Sequence, residues 1–223
     1  MKKIACLFLT LLLISGVTAQ NRKFSPPDYK KISKVISRTG SPSAYSELSR
    51  RLSANDTTLT VSDYHHLYYG AALQPGFNPD VQHPLADSIT RIMKKEGLNK
   101  TDYANIIKLG TRLLSEQPFE LRMLDPLIYA YRMTGNNDMA ARLEVRFGRI
   151  IETIFNSGDG LTKKTAFHVT STRHEPDMLR ALGFGYDGQK MRFEEAFDYL
   201  KTAKNDFGIE GIWFKAGFIY RQK

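Results

Sequence analysis

The chain has 223 residues, 42% of them hydrophobic and 25% charged, which is apolar enough for an ordinary packed core and excludes a disordered chain. Its single cysteine, Cys6, leaves everything downstream without a disulfide, a cysteine nucleophile or a thiolate metal site. The formal charge is +9, yet Lys and Arg are scattered with no run longer than two, as on a solvated surface, so a polyanion-binding face is the lesser reading and no specific nucleic-acid partner is expected.

The first nineteen residues read as a signal peptide. Met1-Lys2-Lys3 is a short positive start, Ile4 to Ile14 is almost wholly apolar, and Val17-Thr18-Ala19 ends in a small-x-small cleavage pattern. That apolar run is shorter than the roughly 20 residues of a spanning helix, and nothing after Gln20 repeats it, so the expectation is an exported, periplasmic or secreted protein without a transmembrane segment. Loss of Lys2 and Lys3 with the leader lowers the charge from +9 to +7.

Residues 20–25 read as a flexible start, after which Pro26-Pro27 suits a helix entry. Apolar residues then recur at helical spacing: Tyr29, Ile32, Val35 and Ile36; Tyr45, Leu48 and Leu52; Tyr64, Leu67, Tyr68 and Ala71. Ser62 or Asp63 is the expected cap of the third helix, and Gln74-Pro75-Gly76 its stop. Leu85, Ile89, Ile92 and Met93 mark a fourth, closed by Gly97. Thr101 or Asp102 caps a fifth carrying Tyr103, Ile106, Ile107, Leu113 and Leu114, stopped by Pro118. Asp125-Pro126 is either a cap and first position of a short helix to Met133 or a kink in a longer one starting near Pro118. Asn137 or Asp138 opens the strongest helix, with Ala140, Leu143, Phe147, Ile150, Ile151 and Ile154 in register. The small residues Ala130, Gly135 and Ala140 around a tight turn resemble a tetratricopeptide repeat, although no 34-residue self-similarity accompanies them.

The pattern changes at Asn156-Ser157-Gly158-Asp159-Gly160. Thr165 to Ser171 alternates as a half-buried strand, Pro176 to Leu182 suits one or two helical turns, and Phe197 to Lys204 with Ile209 to Tyr220 reads as a β-hairpin around Asn205-Asp206-Phe207-Gly208. In its second strand Ile212, Phe214, Ala216, Phe218 and Tyr220 share a face. The expected class is therefore α+β: an N-terminal antiparallel helical-hairpin array of tetratricopeptide-like kind over 26–157, with a small antiparallel β-unit over 158–223 packed on the last helices.

Several groups could carry chemistry. Gly183-Phe184-Gly185-Tyr186-Asp187-Gly188 satisfies G-x-G-x-x-G, but a helix rather than a strand precedes it, so these glycines are read as turn residues and no cofactor is expected. Asp159, His168, His174, Glu175 and Asp177 form the richest polar cluster. Imidazole and carboxylate suit a zinc or manganese site at His168, His174 and Glu175, or acid-base chemistry; the plainer reading is packed imidazoles and an acidic first helical turn. His65-His66 lies mid-helix, where adjacent side chains diverge by about 100° and do not chelate one ion. Tyr64 and Tyr68 fit a buried stripe, whereas Tyr69 and Phe77, with Gln74 and Asn78, are the candidate exposed contacts to a peptide or glycan. No G-x-S-x-G, H-E-x-x-H or phosphate loop occurs.

Two blocks carry a family resemblance: Tyr68-Tyr69-Gly70 leading to Gln74-Pro75 and Asn78-Pro79, and Ser157-Gly158-Asp159-Gly160 followed by Ala166-Phe167-His168-Val169, His174-Glu175, Leu179-Arg180 and Leu182-Gly183-Phe184. Together they resemble the exported bacterial family called domain of unknown function 4919, over roughly residues 26 to 220. The resemblance implies a bacterial periplasmic or secreted protein of one architecture and supplies no activity.

The reading that follows is a non-enzymatic binding or interaction module of the cell envelope, meeting an envelope protein, peptide or glycan along Tyr69 to Asn78. The alternative is a hydrolase or metal-dependent enzyme acting at Asp159, His168, His174 and Glu175, which requires the two histidine rings to converge.

Overall fold

The computed structural model describes residues 23–78, 80–194 and 196–216. The expected leader, the start of the expected flexible segment and the hairpin residues Phe218 and Tyr220 lie outside them. Seven helices come first: α1 (Tyr29–Ile36), α2 (Tyr45–Ser53), α3 (Val61–Ala71), α4 (Pro84–Met93), α5 (Lys100–Glu116), α6 (Leu121–Met133) and α7 (Asn137–Phe155). None is long and apolar enough to cross a membrane.

The apolar stripes place these helices correctly, and the caps shift toward the N-terminus. Thr60, not Ser62 or Asp63, caps α3: its hydroxyl accepts from the Asp63 N–H at 3.2 Å, and the Asp63 carboxylate accepts from the Thr60 N–H at 2.9 Å. The same reciprocal box joins Asn99 to Asp102 at α5, and Asn136 caps α7. In each box the acidic residue is the third helical residue, where it satisfies the cap's own N–H. At α1, Asp28 is the cap and the Pro-Pro pair precedes it. Asp125-Pro126 resolves as one helix from Leu121, with Pro126 inside it.

α3 is the organising helix. Both α1 and α2 pack against it, and so does α7 from far along the sequence. Gly70 permits the close approach: a Cβ there would stand 2.9 Å from Ile36 Cδ1 and 3.3 Å from the Tyr45 ring. The α3 to α7 contact departs from the nearest-neighbour stacking of a repeat array. α4, α5, α6 and α7 then pack in succession.

After α7 come a turn of 3-10 helix (Lys163–Thr165), β1 (Phe167–His168), α8 (His174–Ala181), β2 (Tyr186–Phe193), β3 (Phe197–Thr202) and β4 (Gly211–Lys215). The sheet order is β1-β4-β3-β2. The hairpin is as expected, with Tyr199 opposite Trp213, but the sheet is mixed rather than antiparallel, because β1 runs parallel to β4 with Phe167 opposite Phe214. The strand expected over 165–171 shrinks to two residues, since the N–H of Thr170 turns away to the Tyr68 hydroxyl and that of Thr172 to Asp80. It is also buried on both sides, with Ala166, Phe167, Val169 and Thr170 all sequestered.

The glycine-rich turn at 156–160 owes its path to contact: a Cβ on Gly158 would fall 2.2 Å from the Thr165 carbonyl oxygen. Leu200, Ile212, Phe214 and Ala216 point inward and continue the helical core, so helices and sheet share one apolar interior. Gly183, just after α8, takes φ of +80° in the turn role expected for the G-x-G-x-x-G match, whereas Gly188 takes φ of +90° inside β2, where the register shifts between Tyr186 and Lys190.

Candidate functional site

The polar cluster expected around His174 is the first turn of α8, and it fastens three parts of the molecule. His174 Nε2 lies 2.9 Å from the carbonyl oxygen of Phe119, which only accepts, so Nε2 carries the proton. Nδ1 is then the acceptor, and the Tyr68 hydroxyl donates to it at 2.7 Å while accepting from the Thr170 N–H at 3.1 Å. Burial sets both protonation states: it pushes the His174 imidazole down to about 4 and the Tyr68 phenol well above its ordinary value. A neutral imidazole thus links α3, the α5–α6 connection and α8.

Glu175 is fully buried and tied to the sheet. Lys190 on β2 places its ammonium 2.7 Å from Glu175 Oε2 and 2.8 Å from Asp198 on β3, and Arg192 meets Asp198 at 3.0 Å. Burial pushes the Glu175 carboxyl up to about 8 against the pull of Lys190. Burial also acts on Asp198, but hydrogen bonds from Arg192, Lys190 and Glu175 hold it below the usual carboxylate range. Glu175 Oε1, on the side away from Lys190, has no hydrogen-bond partner. Asp177 completes the turn, bound by Arg122 of α6 at 3.3 Å and Arg180 at 3.2 Å, with burial raising its carboxyl.

The other two members of the expected cluster stand apart. His168 enters through its backbone: its N–H donates to Ser157 Oγ at 2.8 Å and its carbonyl accepts from the Tyr69 hydroxyl at 3.1 Å, while burial pushes its ring down to about 4. Asp159 accepts from the Leu161 N–H at 2.9 Å within its own turn. Among the described residues, His168, His174 and Glu175 included, no group of three His, Cys, Asp or Glu is placed to hold a metal ion.

Beside this turn lies a cleft of about 390 Å³. One wall is the segment Gln74 to Asn78, a second is Glu116 to Glu120, and the third is Thr170, Ser171 and the His174 ring. Asp80 ties the first wall to the third, accepting from Ser171 Oγ at 3.0 Å and the Thr172 N–H at 3.1 Å. Three of the four expected contact residues, Gln74, Phe77 and Asn78, line this cleft. Tyr69 does not: it is 0% exposed, packed edge-on against Tyr68 at 5.0 Å and His65 at 4.9 Å. A single stripe implies one buried face, whereas α3 is covered from several sides, so position 69 is enclosed with the rest.

The cleft's charges are internally balanced. Glu116 is met by His83 Nε2 at 2.9 Å and Arg112 at 3.3 Å, the His83 hydrogen bond being the larger influence holding its carboxyl low. Glu120 pairs with Arg173 at 2.9 Å. The wall from Glu116 to Glu120 was not expected from sequence, where Pro118 reads only as a helix stop. A signal was available: Gln74-Pro75 after α3 is matched by Gln117-Pro118 after α5, and both Gln-Pro steps, with an aromatic residue close behind, face the same space.

The sequence matches the family model described as Domain of unknown function (DUF4919) over residues 30–222. No curated protein and no solved structure matches it. With both blocks of the resemblance inside the matched span, the chain belongs to that family.

Proposed function

We propose that this is an exported, non-enzymatic binding module of the cell envelope whose ligand sits in the cleft between Gln74–Asn78, Glu116–Glu120 and Thr170–His174. The observation that supports it is the convergence of three separate chain segments on one concave space of the size that takes a small ligand, with aromatic and uncommitted polar groups together. The imidazole and carboxyls beside it are taken up by internal partners, which favours binding over acid-base or metal chemistry. Export rests on the leader pattern of residues 1–19.

Expression of the full-length chain in a Gram-negative host should yield a periplasmic product whose N-terminal sequence begins at Gln20; retention of Met1 in the cytoplasm would remove the export part of the proposal. A photo-cross-linking residue at Asn78 should give a discrete adduct in living cells, blocked by the added Phe77→Ala change. The same residue at Phe207, 79% exposed on the hairpin turn, should give none. Equal labelling at both positions would count against the cleft.

A further inference from the structure

Resting on the cleft as the binding site, we infer that its ligand is a neutral saccharide, recognised by carboxamide oxygens held in fixed orientation between aromatic walls. The two Gln-Pro steps carry the inference. Gln74 donates its Nε2 to the Gly70 carbonyl at 2.9 Å, and Gln117 donates its Nε2 to the Val81 carbonyl at 3.0 Å. Since a carbonyl accepts only, both amide groups are locked with nitrogen toward the protein and Oε1 as the group left to accept. Gln117 Oε1 is a buried acceptor without a hydrogen-bond partner, a state that costs free energy.

Glu116 adds a carboxylate, and the Asn78 amide, exposed and without a hydrogen bond to the described residues, offers both a donor and an acceptor. The ligand these groups fit is therefore rich in donors. Net charge is not called for, because Glu116 already has Arg112 and Glu120 has Arg173. Phe77, Phe119 and Tyr45 supply ring surface of the kind that covers the C–H face of a sugar. Hydroxyls that donate, a C–H face that stacks and no charge together describe a saccharide.

The full-length gene product, purified after expression, is to be tested by saturation-transfer NMR and thermal shift with cellotriose, maltotriose and chitotriose, beside the cationic glucosamine trimer and trialanine. The expected result is binding of at least one neutral trisaccharide, weakened about tenfold by Phe77→Ala and by Asn78→Leu, each the loss of a stacked ring or of a hydrogen-bonding amide. Cooperative thermal unfolding of both variants shows that they fold, with some loss of stability expected for Phe77→Ala because Phe77 packs partly buried against the core. Binding of the cationic trimer or the peptide instead, with the same dependence on Phe77 and Asn78, overturns the saccharide assignment and leaves the cleft standing. Saccharide binding indifferent to both substitutions overturns the assignment and the cleft together. Absence of binding by every neutral trisaccharide overturns the assignment.

Discussion

His174→Ala should lower stability by about 3 to 5 kcal/mol, because it opens a cavity and strands two buried groups at once. The Tyr68 hydroxyl loses its acceptor and the Phe119 carbonyl its donor, both on buried residues. Tyr68→Phe should cost about 1 to 3 kcal/mol, leaving the Thr170 N–H without an acceptor. The double variant should cost less than the sum, since the two residues share one hydrogen bond. Asp159→Ala, which removes a single turn contact, should stay within about 1 kcal/mol. Urea unfolding of the four variants measures this order; a His174→Ala loss no larger than that of Asp159→Ala would contradict the fastening role of α8.

The second large effect belongs to Lys190. Lys190→Met removes the ammonium that sits between Glu175 and Asp198, leaving two buried carboxyls side by side, and should cost about 3 kcal/mol near neutral pH. Glu175 also gives a pH signature. Its folded value of about 8 lies above the ordinary carboxyl value of 4.5, so the folded state holds the proton more tightly. The stability this confers is fully present below about 4.5 and is lost as pH rises toward and through about 8. The local slope is at most about 1.4 kcal/mol per pH unit. Glu175→Gln should flatten that slope and match or exceed the parent above pH 8. Unfolding curves across this range decide it: an unchanged slope in Glu175→Gln would mean that Glu175 is ionised throughout.

Helix positions were legible because burial of one stripe is written in the 3.6-residue spacing: Ile32 and Ile36, Leu48 and Leu52, Ile150 and Ile154 are all in the core. Caps were less so, since an acidic third helical residue resembles a cap in sequence, as Asp63 and Asp102 illustrate. The parallel pairing of β1 with β4 was not legible, because it joins residues 167 and 214 across a helix and a hairpin. At the site, Gln74, Phe77 and Asn78, singled out from a turn rich in aromatic and amide groups, line the cleft. Tyr69 was misplaced because burial depends on what covers the helix, not on its own stripe. The second wall was hidden in a Gln-Pro step whose likeness to the first acquires meaning only when both are seen to face one space.

On the proposed reading His174 is a neutral imidazole, held by Tyr68 and Phe119, that shapes the wall of the cleft. Long-range ¹H–¹⁵N correlation of the histidine rings tests this directly. The expected spectrum assigns His174 to the Nε2–H tautomer, unchanged from about pH 8 down to about pH 5 and unmoved by zinc, in keeping with a value pushed down to about 4. A ring that titrates near its ordinary value, or whose nitrogen shifts move with zinc, would contradict it and return the site to the enzymatic reading.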